Sequence, residues 1–178
     1  MPSVANAVYD SIRQLHGMSL QWFMMSALIV VNLRGTINQR STVKTTLKHL
    51  HLGSRYRATI IPDNPISKGM LQTVKNHVAW MDADSSIIES LITNRGEKSN
   101  SIKYDEDLAK KDGYDNISDL AKALCDDQIN LSSLSNLKPS FRLSPPKGGF
   151  RKSTRRMHSQ GGTLGYNPDL SKLISNMI

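Results

Sequence analysis

Residues 26–62 read SALIVVNLRGTINQRSTVKTTLKHLHLGSRYRATIIP, and their periodicity changes twice. The run 26–34 (SALIVVNLR) is β-branched and largely apolar, which predicts a buried strand. From Asn38 the period lengthens. Val43, Leu47 and Leu50 fall at i, i+4 and i+7, predicting a helix over residues 38–53 with one apolar face. Gly53 suits the left-handed position after its end. Lys44, Lys48 and His51 repeat that spacing on another face, so the helix carries a basic stripe. A second strand follows at 55–62.

Downstream, Pro62, Asn64 and Pro65 break the strand and open a second helix, with proline favoured in its first turn. Ile66, Met70 and Val74 form its expected apolar edge, while Lys68, Gln72 and Lys75 face away. Gly69 within this helix costs about 1 kcal/mol relative to alanine. Close approach of another backbone would explain it, and so would simple tolerance. Residues 77–81 (HVAWM) supply a third strand. The expected class is α/β in the α+β two-layer sense, a β-α-β-α-β core with helices over one face of a three-stranded sheet.

Further on, Ser86 and Glu89 read as a capping box for a helix ending near Gly96. Ile117, Leu120, Ala121 and Leu124 share a face of a helix over 117–127. Asn167, Pro168 and Asp169 are start signals for a C-terminal helix bearing Leu170, Leu173, Ile174 and Met177. Upstream, Val4, Val8, Ile12 and Leu15 suggest a short amphipathic helix. The apolar run from Trp22 to Val31 falls well short of the roughly 20 residues that span a bilayer. No small-x-small cleavage pattern follows Val31, which argues against a secretory signal.

The chain has 178 residues and a formal net charge of +8, with an isoelectric point near 9.7. Its charge is laid out in blocks. Arg34 to Met81 holds eight basic residues against Asp63 alone, Asp82 to Asp127 holds twelve acids against six bases, and Lys138 to Gln160 holds seven bases and no acid. Two one-signed basic blocks point to a polyanion, RNA or DNA. A membrane surface would call for a basic amphipathic helix, and none is written here. Cys125 is the single cysteine, so no internal disulfide forms and a reducing, cytosolic compartment is expected. Phosphate-loop and dinucleotide motifs are absent. His49 and His51 lie on different sides of a helix and make a poor zinc pair. The acids Asp126 and Asp127 beside Cys125 would raise its pKa rather than activate it.

The stretch 141–166, FRLSPPKGGFRKSTRRMHSQGGTLGY, carries six Lys or Arg residues, five glycines and two adjacent prolines. It reads as neither helix nor strand and lacks the apolar residues for a core of its own. Its cations suit phosphates, its glycines let backbone pass close to a sugar–phosphate chain, and its prolines stiffen the approach. Phe141, Phe150 and Tyr166 could stack on bases, but packing the base of the loop is the more ordinary use. Such a segment is expected to be mobile in the free chain and to order against a polyanion.

The segments VNLRGTINQRSTVKTTLKHLHL and IIPDNPISKGMLQTVKNHVAW resemble the ribosomal large-subunit protein L-thirty family in its archaeal form. LKPSFRLSPPKGGF and QGGTLGY are similar to the extension that archaeal and eukaryotic members add. The resemblance runs from about Met25 to the C-terminus and is weakest over 94–112. It implies a compact, somewhat ferredoxin-like core without enzymatic activity, cofactor, metal or small-molecule substrate. Implied partners are large-subunit rRNA and neighbouring large-subunit ribosomal proteins, in the cytoplasm and not at a membrane. Carried onto this chain, RNA contacts fall at Arg34, Gln39, Arg40, Lys44 and Lys48 around the first helix, and at Lys68 and Gly69 on the second. The basic stretch adds Lys138, Arg142, Lys147, Arg151, Lys152, Arg155 and Arg156, with Gly148, Gly149 and Gln160 among them. Four segments result: 1–24, an N-terminal extension that such members generally lack, with Met18, Met24 and Met25 as alternative starts; 25–82, the rRNA-binding core; 83–137, helical and acidic; and 138–178, the basic loop and last helix. A regulatory RNA- or DNA-binding protein is the runner-up, and would want a recognition helix with Asn, Gln or Arg toward base edges.

Overall fold

The computed structural model describes residues 27–98, 102–114 and 116–178. Expectations for the first 24 residues lie outside them. Five elements follow the expected order: β1 (Ala27–Asn32), α1 (Ser41–His49), β2 (Arg57–Pro62), α2 (Pro65–Val74) and β3 (Val78–Asp82). β1 lies between β2 and β3 and is antiparallel to both, with Ile29 opposite Ile60 on one side and Met81 on the other. Leu28 and Val30 share one buried cluster with Leu47, Leu50, Leu52, Leu71 and Val74, so α1 and α2 cover the same face of the sheet.

All six residues of β1 are buried, so the other face is covered too. There Ala27, Ile29, Val31 and Met81 meet residues of α3 (Ser85–Arg95), α5 (Ile117–Cys125) and α6 (Leu170–Met177), with the short α4 (Glu106–Lys111) alongside. The expected two layers are therefore three. The expected three-stranded sheet has six strands, because the basic stretch contributes β4 (Phe141–Arg142), β5 (Ser153–Met157) and β6 (Gly162–Tyr166) in the order β4-β2-β1-β3-β6-β5. β4 is antiparallel to β2, and β6 is parallel to β3. Phe141, Leu143 and Leu164 are core residues, so the reading of this stretch as neither strand nor core is corrected. Its apolar residues are few, but long-range pairing places them on an existing core.

Between Ser153–Gly162 and Met157–Leu164, β5 advances four residues while β6 advances two, so the outermost pairing is irregular. Gly162 is what permits it. A Cβ there would collide with the Arg156 carbonyl.

Three local signals shift. α1 ends in a Schellman motif, with Leu52 N–H donating to Leu47 O and His51 N–H to Lys48 O. The left-handed residue is His51, at φ 57°, rather than Gly53. α2 buries Ser67, Leu71 and Val74, while Ile66 is 72% exposed. The apolar edge is thus rotated by about one residue from the expected one. No heavy atom lies within 4 Å of a Cβ built on Gly69, so tolerance and not backbone approach accounts for it. Asp84 caps α3 by accepting from Ser86 N–H at 3.1 Å, and Glu89 of the supposed capping box accepts from Ser118 Oγ instead.

Candidate nucleic-acid interface

The stripe expected on α1 is present. Lys44, Lys48 and His51 are exposed beside buried Leu47 and Leu50. Where α1 runs out, a groove of about 300 Å³ opens between three segments distant in sequence. Lys48 and His51 come from the helix end, Gly53, Ser54 and Arg57 from the approach to β2, and Lys138, Pro139 and Ser140 from the approach to β4. Four basic side chains converge there. The antiparallel register also sets Arg57 directly opposite Arg142. Like charges across a strand pair destabilise it, and a bound anion removes that cost. Arg57 donates to Ser140 Oγ at 2.9 Å, which fixes its guanidinium at the groove. Arg57 and His51 were absent from the expected contacts. Arg57 stands in the first basic block, and its β2–β4 partner is what marks it.

The β1–α1 loop adjoins this groove through Thr36, whose hydroxyl donates to Gly53 O at 3.2 Å. Arg34 is exposed and donates to Asn76 O at 3.2 Å. Gln39 is half-buried and donates to Ile37 O at 3.3 Å, and Arg40 is exposed just before α1. Beneath Arg34, burial and then the Arg34 charge hold the His77 imidazole below its usual pKa, so His77 adds no charge at neutral pH.

The remaining expected residues divide by what they touch. Lys68 pairs with Asp63 at 2.9 Å, Lys138 with Glu97 at 3.1 Å and Lys152 with Asp169 at 3.3 Å. The Lys138 and Lys152 pairs are solvent-exposed and worth about 0–1 kcal/mol, so a phosphate can compete for those lysines, whereas Asp63 is partly buried. Among the described residues, Arg142, Lys147, Arg151, Arg155 and Arg156 are exposed and make no ion pair. Gly148 and Gly149 form a turn at φ 81° and 73°, a conformation only glycine adopts without strain. The Gly149 N–H is used internally, on Pro146 O at 3.0 Å. Gly69 and Gln160 are exposed but belong to other parts of the surface, on α2 and in the turn before β6.

Two of the three aromatics pack the base of the loop. Phe141 is in the core, and Phe150 stacks on Tyr56 with ring centres 6.2 Å apart. The Arg55 guanidinium lies 4.6 Å from the Tyr56 ring centre. Tyr166 is half exposed, its hydroxyl donating to Asp82 at 2.7 Å. The loop is thus pinned at both ends, and its middle is exposed. Limited trypsin digestion of free protein is expected to cut first after Arg151 or Lys152, leaving two associated fragments. Arg57, held between β1 and β4, should be cut later. Initial cleavage at Arg57 would contradict this.

Cys125 is half-buried with its thiol on Ala83 O at 3.4 Å. Its pKa is raised, as the sequence suggested, though by burial first and then by Asp126 and Asp84. Among the described residues no cluster could hold a metal ion, and no helix is long and apolar enough to cross a membrane.

Residues 28–78 match the family model described as Ribosomal protein L30p/L7e. The chain is 39% identical over 155 residues to "Large ribosomal subunit protein uL30" of Cenarchaeum symbiosum, covering 87% of this chain and 100% of that protein. Its counterpart in Nitrosopumilus maritimus is 38% identical over the same shares. That in Archaeoglobus fulgidus is 37% identical over 83% of this chain and 97% of its own length. The chain belongs to the L30p/L7e family. The family model spans β1 to the beginning of β3, the part that builds the α1 face of the groove. The archaeal L30p/L7e relatives align well beyond those residues. The L30p/L7e core thus supplies Lys48, His51 and Arg57 to the groove, and Lys138 enters from outside the span of the family model.

Proposed function

We propose that the chain is a structural constituent of the large ribosomal subunit that binds and stabilises large-subunit rRNA through the α1 face, the groove and the basic Gly-rich loop. Relatives named as large ribosomal subunit proteins support the assignment. The observation that carries the RNA-binding part is Arg57 set opposite Arg142 beside Lys48, His51 and Lys138. Of these, Lys138 is paired with Glu97, while Lys48, Arg57 and Arg142 make no ion pair among the described residues, and phosphate would neutralise them. In this reading the protein performs no chemistry. It works in ribosomes of the cytoplasm and also meets neighbouring ribosomal proteins.

The test is salt. If six or more phosphates are neutralised, log K for deproteinised large-subunit rRNA should fall against log[salt] with a slope of about −0.7 to −0.9 per contact. A slope shallower than about −2 would end the phosphate-dominated reading. Cosedimentation with large subunits separates a ribosomal constituent from a regulatory nucleic-acid-binding protein.

A further inference from the structure

Ile37 is the most exposed large apolar side chain among the described residues, at 85%. A single exposed isoleucine is ordinary. What sets this one apart is the loop that presents it. Asn32 is fully buried at the end of β1. Its Oδ1 accepts from the N–H groups of Arg34 and Gly35 at 3.2 and 3.0 Å, and its Nδ2 donates to Leu52 O at 2.8 Å. Thr36 is tied to Gly53, and the Leu33 carbonyl accepts from Arg55 Nε at 3.0 Å. Gly35 and Asn38 both have left-handed backbones, at φ 75° and 57°. The loop is therefore braced up to Thr36, immediately before Ile37, and holds that side chain out in water.

The surroundings say what covers it. No Asp or Glu occurs between Ala27 and Pro62, and Arg34 and Arg40 flank the loop. A protein partner offering an apolar pocket here would also have to neutralise that charge, whereas irregular RNA supplies phosphates and unstacked base or ribose faces together. Building on the rRNA-binding reading, we propose that Ile37 packs against an unstacked base or ribose of rRNA while Arg34 and Arg40 hold the adjoining phosphates. The loop then makes a salt-independent apolar contact within an otherwise electrostatic interface. Because it is preorganised, little ordering entropy opposes the contact.

The probe is deproteinised large-subunit rRNA titrated at several salt concentrations with the full chain and its variants. Ile37→Ser should weaken binding by about tenfold at every salt concentration, with an unchanged slope and thermal midpoint. Ile37→Leu should restore binding to within about threefold. Arg40→Gln should instead flatten the slope by about one. If Ile37→Ser binds like the parent while the parent slope stays steep, the apolar contact is wrong and the rRNA reading stands. If the parent slope is itself shallow, both fall.

Discussion

Phe141→Ala is expected to lower folding stability by about 3–5 kcal/mol. Phe141 is 1% exposed, and it sits in the cluster with Leu143, Leu164 and the helices α3, α5 and α6. Truncating it leaves a ring-sized void that close-packed neighbours fill only in part. Arg142→Ala, one residue on, should change stability by no more than about 0.5 kcal/mol, because its side chain is exposed. It should even gain slightly if the Arg57–Arg142 repulsion is relieved. Denaturant midpoints of the two variants give the answer. A loss below about 1 kcal/mol for Phe141→Ala would mean that the basic stretch is only draped over the core.

The second large effect divides the two faces of α1. Leu47→Ala should cost about 2–5 kcal/mol, since Leu47 is wholly buried between α1 and the sheet. The double change Lys44→Glu with Lys48→Glu should leave the thermal midpoint in place, because both side chains are exposed and neither makes an ion pair among the described residues. Its effect should appear in rRNA binding, where the salt slope should flatten by about two. A large fall in thermal midpoint for the lysine pair would show the faces to be reversed.

The five elements of the core were legible because each has a local cause. β1 is continuous in its apolar residues, α1 keeps one period over Val43, Leu47 and Leu50, and Pro65 opens α2. β1 also carries a signal for the layer beyond α1 and α2. A strand with no polar residue from Ala27 to Val31 must be covered on both faces, which already implies the third layer. The α2 face was misplaced because Ser67 is small and polar yet buried, so the row Ser67, Leu71, Val74 did not stand out against Ile66, Met70, Val74.

What sequence could not disclose is set by contacts far apart in the chain. β4 and β6 have little local propensity and exist only by pairing with β2 and β3. For the same reason the individual basic residues were legible as blocks but not as a site. Arg57 and Lys138 become neighbours only once β4 is laid beside β2.

That long-range pairing also orders events during synthesis. Arg57 waits for Arg142, 85 residues later, and Ala79 waits for Gly165, 86 residues later. While the ribosome is still making the chain, β2 and β3 each carry a row of unpaired backbone donors and acceptors. The apolar face opposite α1 and α2 is only partly covered, by α3 and α5, until α6 arrives with Leu170, Ile174 and Met177. Distant contacts of this kind form late, because loop closure must be met before any contact rewards it. The last forty or so residues thus govern how long a nascent chain stays vulnerable to pairing with another. The segment richest in cations is the one that ends that exposure, and like charges on neighbouring nascent chains help to hold them apart until it does.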